Sequence, residues 1–278
     1  MNEQSRNPMT APNRRLLRYT RNNLEPLALN AAHQFAADHA LSIYGADAIY
    51  SFIPKNACST MRYTVALANG AIADVSDFNW IHANNLTFRA SLAELAKAAY
   101  TFVILRDPFL RLGSCFLDKL VDQTPIAWHF QMLTNYRYGP PALTFRQFVD
   151  GIEDRLPRDE HWRPQIDFLV YEDYDDFFCL EQFADAVAGL RQRIGLAVCD
   201  ARDLTKHGTD QFAPLSGDEC FADIPAHCIS ELKRQGCIPR ITQLYDAALI
   251  AKVGQLYAED IAFYTSKTGR QATFPPES

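Results

Sequence analysis

Ala48-Ile49-Tyr50-Ser51-Phe52-Ile53-Pro54-Lys55-Asn56-Ala57-Cys58-Ser59-Thr60 decides the fold. Ala48 to Ile53 is a short apolar run, partly β-branched and halted by Pro54, as expected of a buried strand. From Ser59 onward, Met61, Val65 and Leu67-Ala68 recur at helical spacing until Asn69-Gly70, a helix stop. Strand, tight loop and helix in that order aim successive backbone N–H groups and a helix dipole at one point, where an anion can sit. Lys55 adds a mobile positive charge, and the Ser59 and Thr60 hydroxyls add donors. The glycines of the G-x-x-x-x-G-K-[ST] pattern are missing, which disfavours an ATP or GTP hydrolase. Taken alone, the same residues equally describe a capped strand-to-helix turn.

A second segment repeats the arrangement. Tyr100-Thr101-Phe102-Val103-Ile104-Leu105 is the strongest strand signal in the chain, and Arg106-Asp107-Pro108 ends it. Pro108 suits a first helical turn, and Phe109, Leu112, Phe116 and Leu120 form an apolar stripe that predicts a helix to about Val121. Arg106 at the carboxyl end of that strand can fork onto a phosphate. Ser114 lies two turns along, with Arg111 three residues before it on the same side. Arg-Asp-Pro is also a common helix start. Two strand-end anion sockets in this order nevertheless suit a nucleotide carrying two separated phosphate groups.

Around these segments the chain alternates strand and helix patterns. That predicts an α/β fold with a mainly parallel central sheet covered by helices on both faces. Residues 1–27, with Arg14, Arg15, Arg18 and Arg21, read as a basic flexible arm, and residues 28–278 as a single domain. Helices are predicted over 29–40, from the Ser91–Glu94 capping box to about Ala98, and over 144–152, 180–194 and 241–264; short strands are predicted over 168–171 and 177–179. Residues 122–165, rich in aromatics, Pro and Arg, suit an acceptor-binding insertion. Within or beside it Trp128, Tyr136, Tyr138 and Trp162 fit stacking on a sugar face and core packing equally well.

A net charge of −6 and a pI near 5.6 argue against a partner such as nucleic acid. No signal-peptide core and no run of roughly 20 apolar residues is seen, so a cytoplasmic protein without a membrane span is expected. Seven cysteines without a C-x-x-C pair favour reduced thiols over a disulfide framework or a metal site. Oligomeric state leaves no mark on the sequence.

Two stretches, Ile53-Pro54-Lys55-Asn56-Ala57-Cys58-Ser59-Thr60-Met61-Arg62 and Val103-Ile104-Leu105-Arg106-Asp107-Pro108-Phe109-Leu110-Arg111-Leu112-Gly113-Ser114, resemble the 5′-phosphosulfate loop and the 3′-phosphate site of the carbohydrate sulfotransferases. The similar group is that of the HNK-1, chondroitin/dermatan 4-O and heparan 2-O enzymes. His161-Trp162-Arg163-Pro164-Gln165, Asp176 to Glu181, Tyr257 to Asp260 and Phe263-Tyr264 extend the likeness over about residues 45–265. The resemblance implies an α/β, P-loop-like three-layer fold with a mainly parallel central sheet flanked by helices, binding 3′-phosphoadenosine-5′-phosphosulfate (PAPS) as co-substrate without a metal. Lys55 and the loop residues Asn56, Ala57, Cys58, Ser59 and Thr60 would hold the phosphosulfate; Arg106 and Ser114 would hold the 3′-phosphate. A hydroxyl of a carbohydrate or small-molecule acceptor would attack sulfur in line, with Lys55 stabilising the departing oxygen.

A base for that hydroxyl is best supplied by histidine. His82, between the two motifs where the family's acceptor-facing histidine falls, is the leading candidate, and His161 the second. His82 also reads as a solvated loop residue, and His161 as a structural residue that orients the Trp162 loop. Gly113 and Cys115 depart from the residues usual around the serine, which touches helix packing rather than anion contacts. The competing expectations are a nucleotide-dependent kinase on a similar sheet and a non-catalytic nucleotide-binding protein.

Overall fold

The computed structural model describes residues 15–20, 24–84, 86–201, 204 and 211–272. Its centre is a four-stranded sheet in the order β1 (Ala40–Ile43), β2 (Ala48–Ser51), β3 (Tyr100–Leu105), β4 (Asp176–Cys179). β1 pairs antiparallel with β2, whereas β2, β3 and β4 run parallel. All six residues of β3 are buried, the reason this strand reads as an unbroken apolar run rather than an alternation. Its side chains nonetheless divide by face. Tyr100, Phe102 and Ile104 join Tyr50, Met61 and Val65 on one side, while Val103 and Leu105 join Ile49, Leu95, Phe168 and Tyr264 on the other. The sheet is therefore sandwiched between helices.

Parallel pairing positions the site. Ser51 of β2 stands opposite Val103 of β3, so the segments leaving both strands emerge at the same edge of the sheet. From β2 the chain enters α2 (Cys58–Ala68), which stops at Gly70 in the left-handed region (φ 72°), with the Ala71 amide donating back to Ala66 O, a glycine-dependent C-terminal closure. After α3 (Trp80–Ala83), Ser91 opens α4 (Leu92–Lys97) with both halves of the expected capping box formed. From β3 the chain enters α5 (Pro108–Cys115), capped by Asp107, whose carboxylate accepts from the Phe109 and Leu110 amides.

Beyond α5 the predicted helix changes pitch. Phe116–Leu120 is a π turn, marked by the Val121 amide donating to Phe116 O five residues back. This turn, with α5, α6 (Pro125–Leu133), α7 (Phe145–Ile152), α9 (Ala226–Arg234) and α10 (Ala247–Leu256), builds a second apolar core beside the sheet; α8 (Phe183–Ile194) belongs to the sheet's own layer. Gly113 is explained by this packing, because a Cβ there would lie 2.4 Å from Ile241 Cγ2.

Several expectations change. β1 lies where the first helix was expected to end: α1 is only Ala31–Asp38, and an antiparallel edge strand follows at once. Residues 168–171 form no strand; Gln165–Phe168 is a 3₁₀ turn and Tyr171 makes an isolated bridge to Leu17. The last long helix is broken at Tyr257 into α10 and α11 (Ala258–Thr268). The described part of the expected flexible arm is docked. Arg15 donates to Ala98 O and Ala99 O and pairs with Asp175 at 2.7 Å, and Arg18 N donates to Val170 O; residues 1–14 and 21–23 lie outside the described residues. Among the described residues no helix is long and apolar enough to cross a membrane.

Candidate functional site

A cleft of about 970 Å³ opens at the edge of the sheet where β2 and β3 end, and Lys55, Ala57, Cys58, Ser59, Thr60, His82, Arg106, Ser114 and His161 all line it. The loop at its base needs unusual backbone. Lys55 and Ala57 both have positive φ, 74° and 56°, in a region that non-glycine residues occupy at a cost. The turns they make place Ala57 as the N-cap of α2, with no side chain closing that end. First-turn amides of a helix have no intrahelical acceptor, so Cys58, Ser59 and Thr60 present N–H groups and a dipole at the cleft. The Thr60 hydroxyl accepts from Ala201 N at 3.4 Å.

Three side chains hold the loop in this shape. Arg106 donates from Nη1 to Lys55 O at 2.9 Å. Arg111, buried, donates to Pro54 O, Glu160 O and Arg163 O at 3.0, 3.0 and 2.7 Å. Asn56, fully buried, donates to Ile104 O at 2.9 Å and Gln165 Oε1 at 2.6 Å. Gln165 Oε1 also accepts from the Arg106 amide, and its Nε2 donates to Arg106 O. Asn56 therefore points away from the cleft, and its own amide is spent on Ile53 O. It is a brace between the two motifs rather than an anion ligand, which corrects its place among the loop donors. Arg111 is likewise a clamp on three carbonyls and not a partner of Ser114 for phosphate.

Lys55 Nζ lies 2.5 Å from Asp118 Oδ2, an ion pair in which the side chains are 12% and 4% exposed, and Lys119 Nζ reaches the same oxygen at 3.2 Å. Burial pushes the Asp118 carboxyl up, but the charges of Lys55 and Lys119 outweigh it and hold the group below its ordinary value.

The two histidines differ in their surroundings. His82, near the end of the four-residue α3, is exposed and meets Phe78 edge-on. His161 Nδ1 lies 2.7 Å from Asp159 Oδ1, which also accepts from the His161 amide, while Asp159 Oδ2 lies 2.9 Å from His129 Nδ1. Burial raises Asp159, yet the bonds from His161 and His129 win and its carboxyl stays low. A carboxylate on Nδ1 fixes the tautomer that leaves Nε2 as acceptor. Beside it, Glu160 pairs with His39 Nε2 at 3.2 Å.

The expected acceptor-binding insertion contributes only Glu160 and His161 to the cleft. Trp162 is fully buried among Phe130 and Phe148, Tyr138 stacks on Phe130, and the exposed Trp128 and Tyr136 lie off the cleft. Sequence reasoning missed Asp38, His39, Arg62, Asn84, Asp118, Lys119 and Glu160, which also line it. For Asp118 a signal existed, since it stands four residues after Ser114 on the same helix face. His39 and Glu160 carried none, because only the tertiary fold brings α1 to the loop before Trp162.

A strand-end lysine loop without glycines and a strand-end arginine, braced to each other and opening on one cleft, define an α/β protein with two basic motifs at the ends of adjacent parallel strands. A sequence model of the sulfotransferase family matches residues 46–198, more than half of the chain and both motifs. The chain belongs to the sulfotransferase family. It is similar to carbohydrate sulfotransferase 14 of Danio rerio, 23% identical over 167 residues, which is 53% of this chain and 46% of that protein. It is similar also to carbohydrate sulfotransferase 14 of Mus musculus, 26% identical over 132 residues, 42% of this chain and 35% of that protein. The matched region thus spans less than half the length of these curated relatives. No solved structure matches the chain.

Proposed function

We propose that this protein is a PAPS-dependent sulfotransferase that moves a sulfuryl group to a hydroxyl of a carbohydrate or glycosylated small molecule. One observation carries the reading: the lysine loop and the Arg106–Ser114 pair, far apart in sequence, line the same cleft. Its volume is at the upper end for a small-molecule pocket and accommodates a nucleotide donor together with an acceptor. Family membership supports PAPS as the donor, and the names of the relatives support a carbohydrate acceptor.

In this reading the Cys58, Ser59 and Thr60 amides and Lys55 bind the 5′-phosphosulfate, and Arg106 with Ser114 binds the 3′-phosphate. The acceptor oxygen forms a bond to sulfur as the bond from sulfur to the bridging phosphate oxygen breaks, and Lys55 neutralises the charge left on that oxygen. The acceptor proton passes to an imidazole. Of the two candidates, His161 has the orienting carboxylate, so Nε2 of His161 is the better base; His82 then lies on the acceptor side as a contact. Within the lining, the cations Lys55, Arg62, Arg106 and Lys119 face the carboxylates Asp38, Asp118 and Glu160. A multiply charged donor consumes that small excess, which favours a neutral saccharide over a polyanionic acceptor.

Calorimetry with adenosine 3′,5′-bisphosphate, the donor product, tests the donor half. Binding without Mg²⁺, lost in Arg106→Ala with folding intact, is expected; binding of ATP with Mg²⁺ in its place would make the protein a kinase. Incubation of a glycan and metabolite pool with isotopically labelled PAPS tests the other half, and a mass gain of one labelled sulfuryl group identifies the acceptor.

A further inference from the structure

The lysine that the donor needs is already engaged. Lys55 Nζ sits 2.5 Å from Asp118, whose side chain is only 4% exposed. Asp118 reaches it from the π turn Phe116–Leu120, where the helix after Ser114 widens by a residue and re-aims its side chains. Such a carboxylate, ionised and lining a cleft for anions, opposes ligand binding in two ways. Its field repels the incoming phosphosulfate, and its bond to Lys55 must open or be shared before the ammonium can turn to the donor. Lys119, bonded to the same oxygen at 3.2 Å, remains to hold Asp118 once Lys55 leaves.

We propose that Asp118 is a positioning residue that parks Lys55 in the empty enzyme and surrenders it when an anionic group enters the cleft, so that donor affinity is set by competition for one lysine. This rests on the reading of Lys55 as the phosphosulfate ligand. The parked lysine is kept folded against the loop whose backbone is in the left-handed region at Lys55 itself, and the exchange of partners couples donor arrival to the π turn and hence to Ser114, four residues earlier on the same helix.

The test is a double-mutant cycle read by calorimetric titration with adenosine 3′,5′-bisphosphate into the full chain. Asp118→Asn is expected to tighten binding about tenfold, a change of only ~1.4 kcal/mol. In the Lys55→Ala background the same substitution is expected to tighten binding much less, by the part due to the field of Asp118 alone, because there is no lysine left to release. Equal tightening in both backgrounds would mean that Asp118 acts by its field alone and overturns the parking role. Weakened or unchanged binding in Asp118→Asn overturns it too. Absence of binding by the wild-type protein removes the donor reading and this inference together, a result distinct from the others. Should Asp118→Asn not fold, the wild-type protein still decides the matter. The ¹⁵N signal of the Lys55 ammonium, slowed in exchange by its partner, is expected to shift on adding the bisphosphate; a signal that stays put refutes the exchange.

Discussion

Replacing Gln165 by Leu probes the brace that makes two strand-end motifs into one site. Gln165 is 2% exposed. Its carboxamide receives the Asn56 side chain at 2.6 Å and the Arg106 amide at 3.0 Å, and donates to Arg106 O at 2.9 Å. Leu fills nearly the same volume, so the cavity contribution is small and the change isolates the hydrogen bonds. Asn56 keeps Ile104 O, whereas the Arg106 N–H and C=O lose these partners in a largely buried setting. Each buried group that loses its partner costs ~1–3 kcal/mol; with the partly buried Arg106 taken at the low end, the total is about 2–4 kcal/mol, a large share of the ~5–15 kcal/mol that holds a domain. Urea denaturation followed by circular dichroism reads this as a lower midpoint at constant slope. Gln165→Glu supplies the contrast. It keeps the acceptor but turns a carboxylate oxygen toward Arg106 O, so it is expected to be at least as damaging. A loss below about 1 kcal/mol in Gln165→Leu would show that water replaces the carboxamide freely and that the brace is incidental.

Asp159→Asn is expected to lower kcat by about 10²–10⁴-fold while bisphosphate affinity stays within about twofold, because Asn no longer enforces the His161 tautomer; steady-state kinetics with labelled PAPS checks it. Gly113→Ala forces a methyl into Ile241 and is expected to cost ~1–3 kcal/mol of stability by thermal or urea unfolding. Asp260 accepts from the Gln165 and Ile166 amides, and burial pushes its carboxyl up from 3.8 to about 6. A carboxyl raised on folding binds its proton more tightly in the native state, so its contribution is full below about pH 4 and is lost as pH rises to about 6. Asp260→Asn removes that slope, and its stability relative to wild type is expected to improve by on the order of 2 kcal/mol between pH 4 and pH 7, measured by urea titrations across that range.

The order of strand, loop and helix was legible because it rests on local patterns: the buried run of β3, the capping box at Ser91, the Gly70 stop. So was the meeting of Lys55, Arg106 and Ser114, since motifs following adjacent parallel strands must share an edge. What stayed hidden depends on distant partners. A helical pattern over residues 108–121 looks the same whether the last turn is α or π, and only the packing of Phe116 against Phe145 and Phe148 shows where the pitch changes. Ala40–Ile43 is too short and too ordinary to be told from a helix end, and becomes a strand because β2 offers it an edge. The aromatic residues of 122–165 resemble a sugar platform in composition, yet Trp162 and Phe130 are the centre of a second core.

The loop itself explains why a glycine-poor strand-to-helix turn of this kind is legible only in combination. A glycine-rich phosphate loop reaches left-handed backbone at little steric cost, and its pattern can be read in isolation. Here Lys55 and Ala57 adopt the same region without that freedom, at ~1–2 kcal/mol each, and the conformation persists because Arg106 binds Lys55 O, Arg111 binds Pro54 O and Asn56 binds the end of β3. The first motif is therefore stable only in the presence of the second. On the proposed function Arg106 has a second duty toward the ligand beside its bond to the loop, and Arg106→Lys, which keeps the charge but cannot span Lys55 O and a phosphate together in one planar fork, is expected to lose bisphosphate binding nearly as fully as Arg106→Ala. Retention of wild-type affinity by Arg106→Lys would separate the two motifs again and return the loop to an ordinary capped turn.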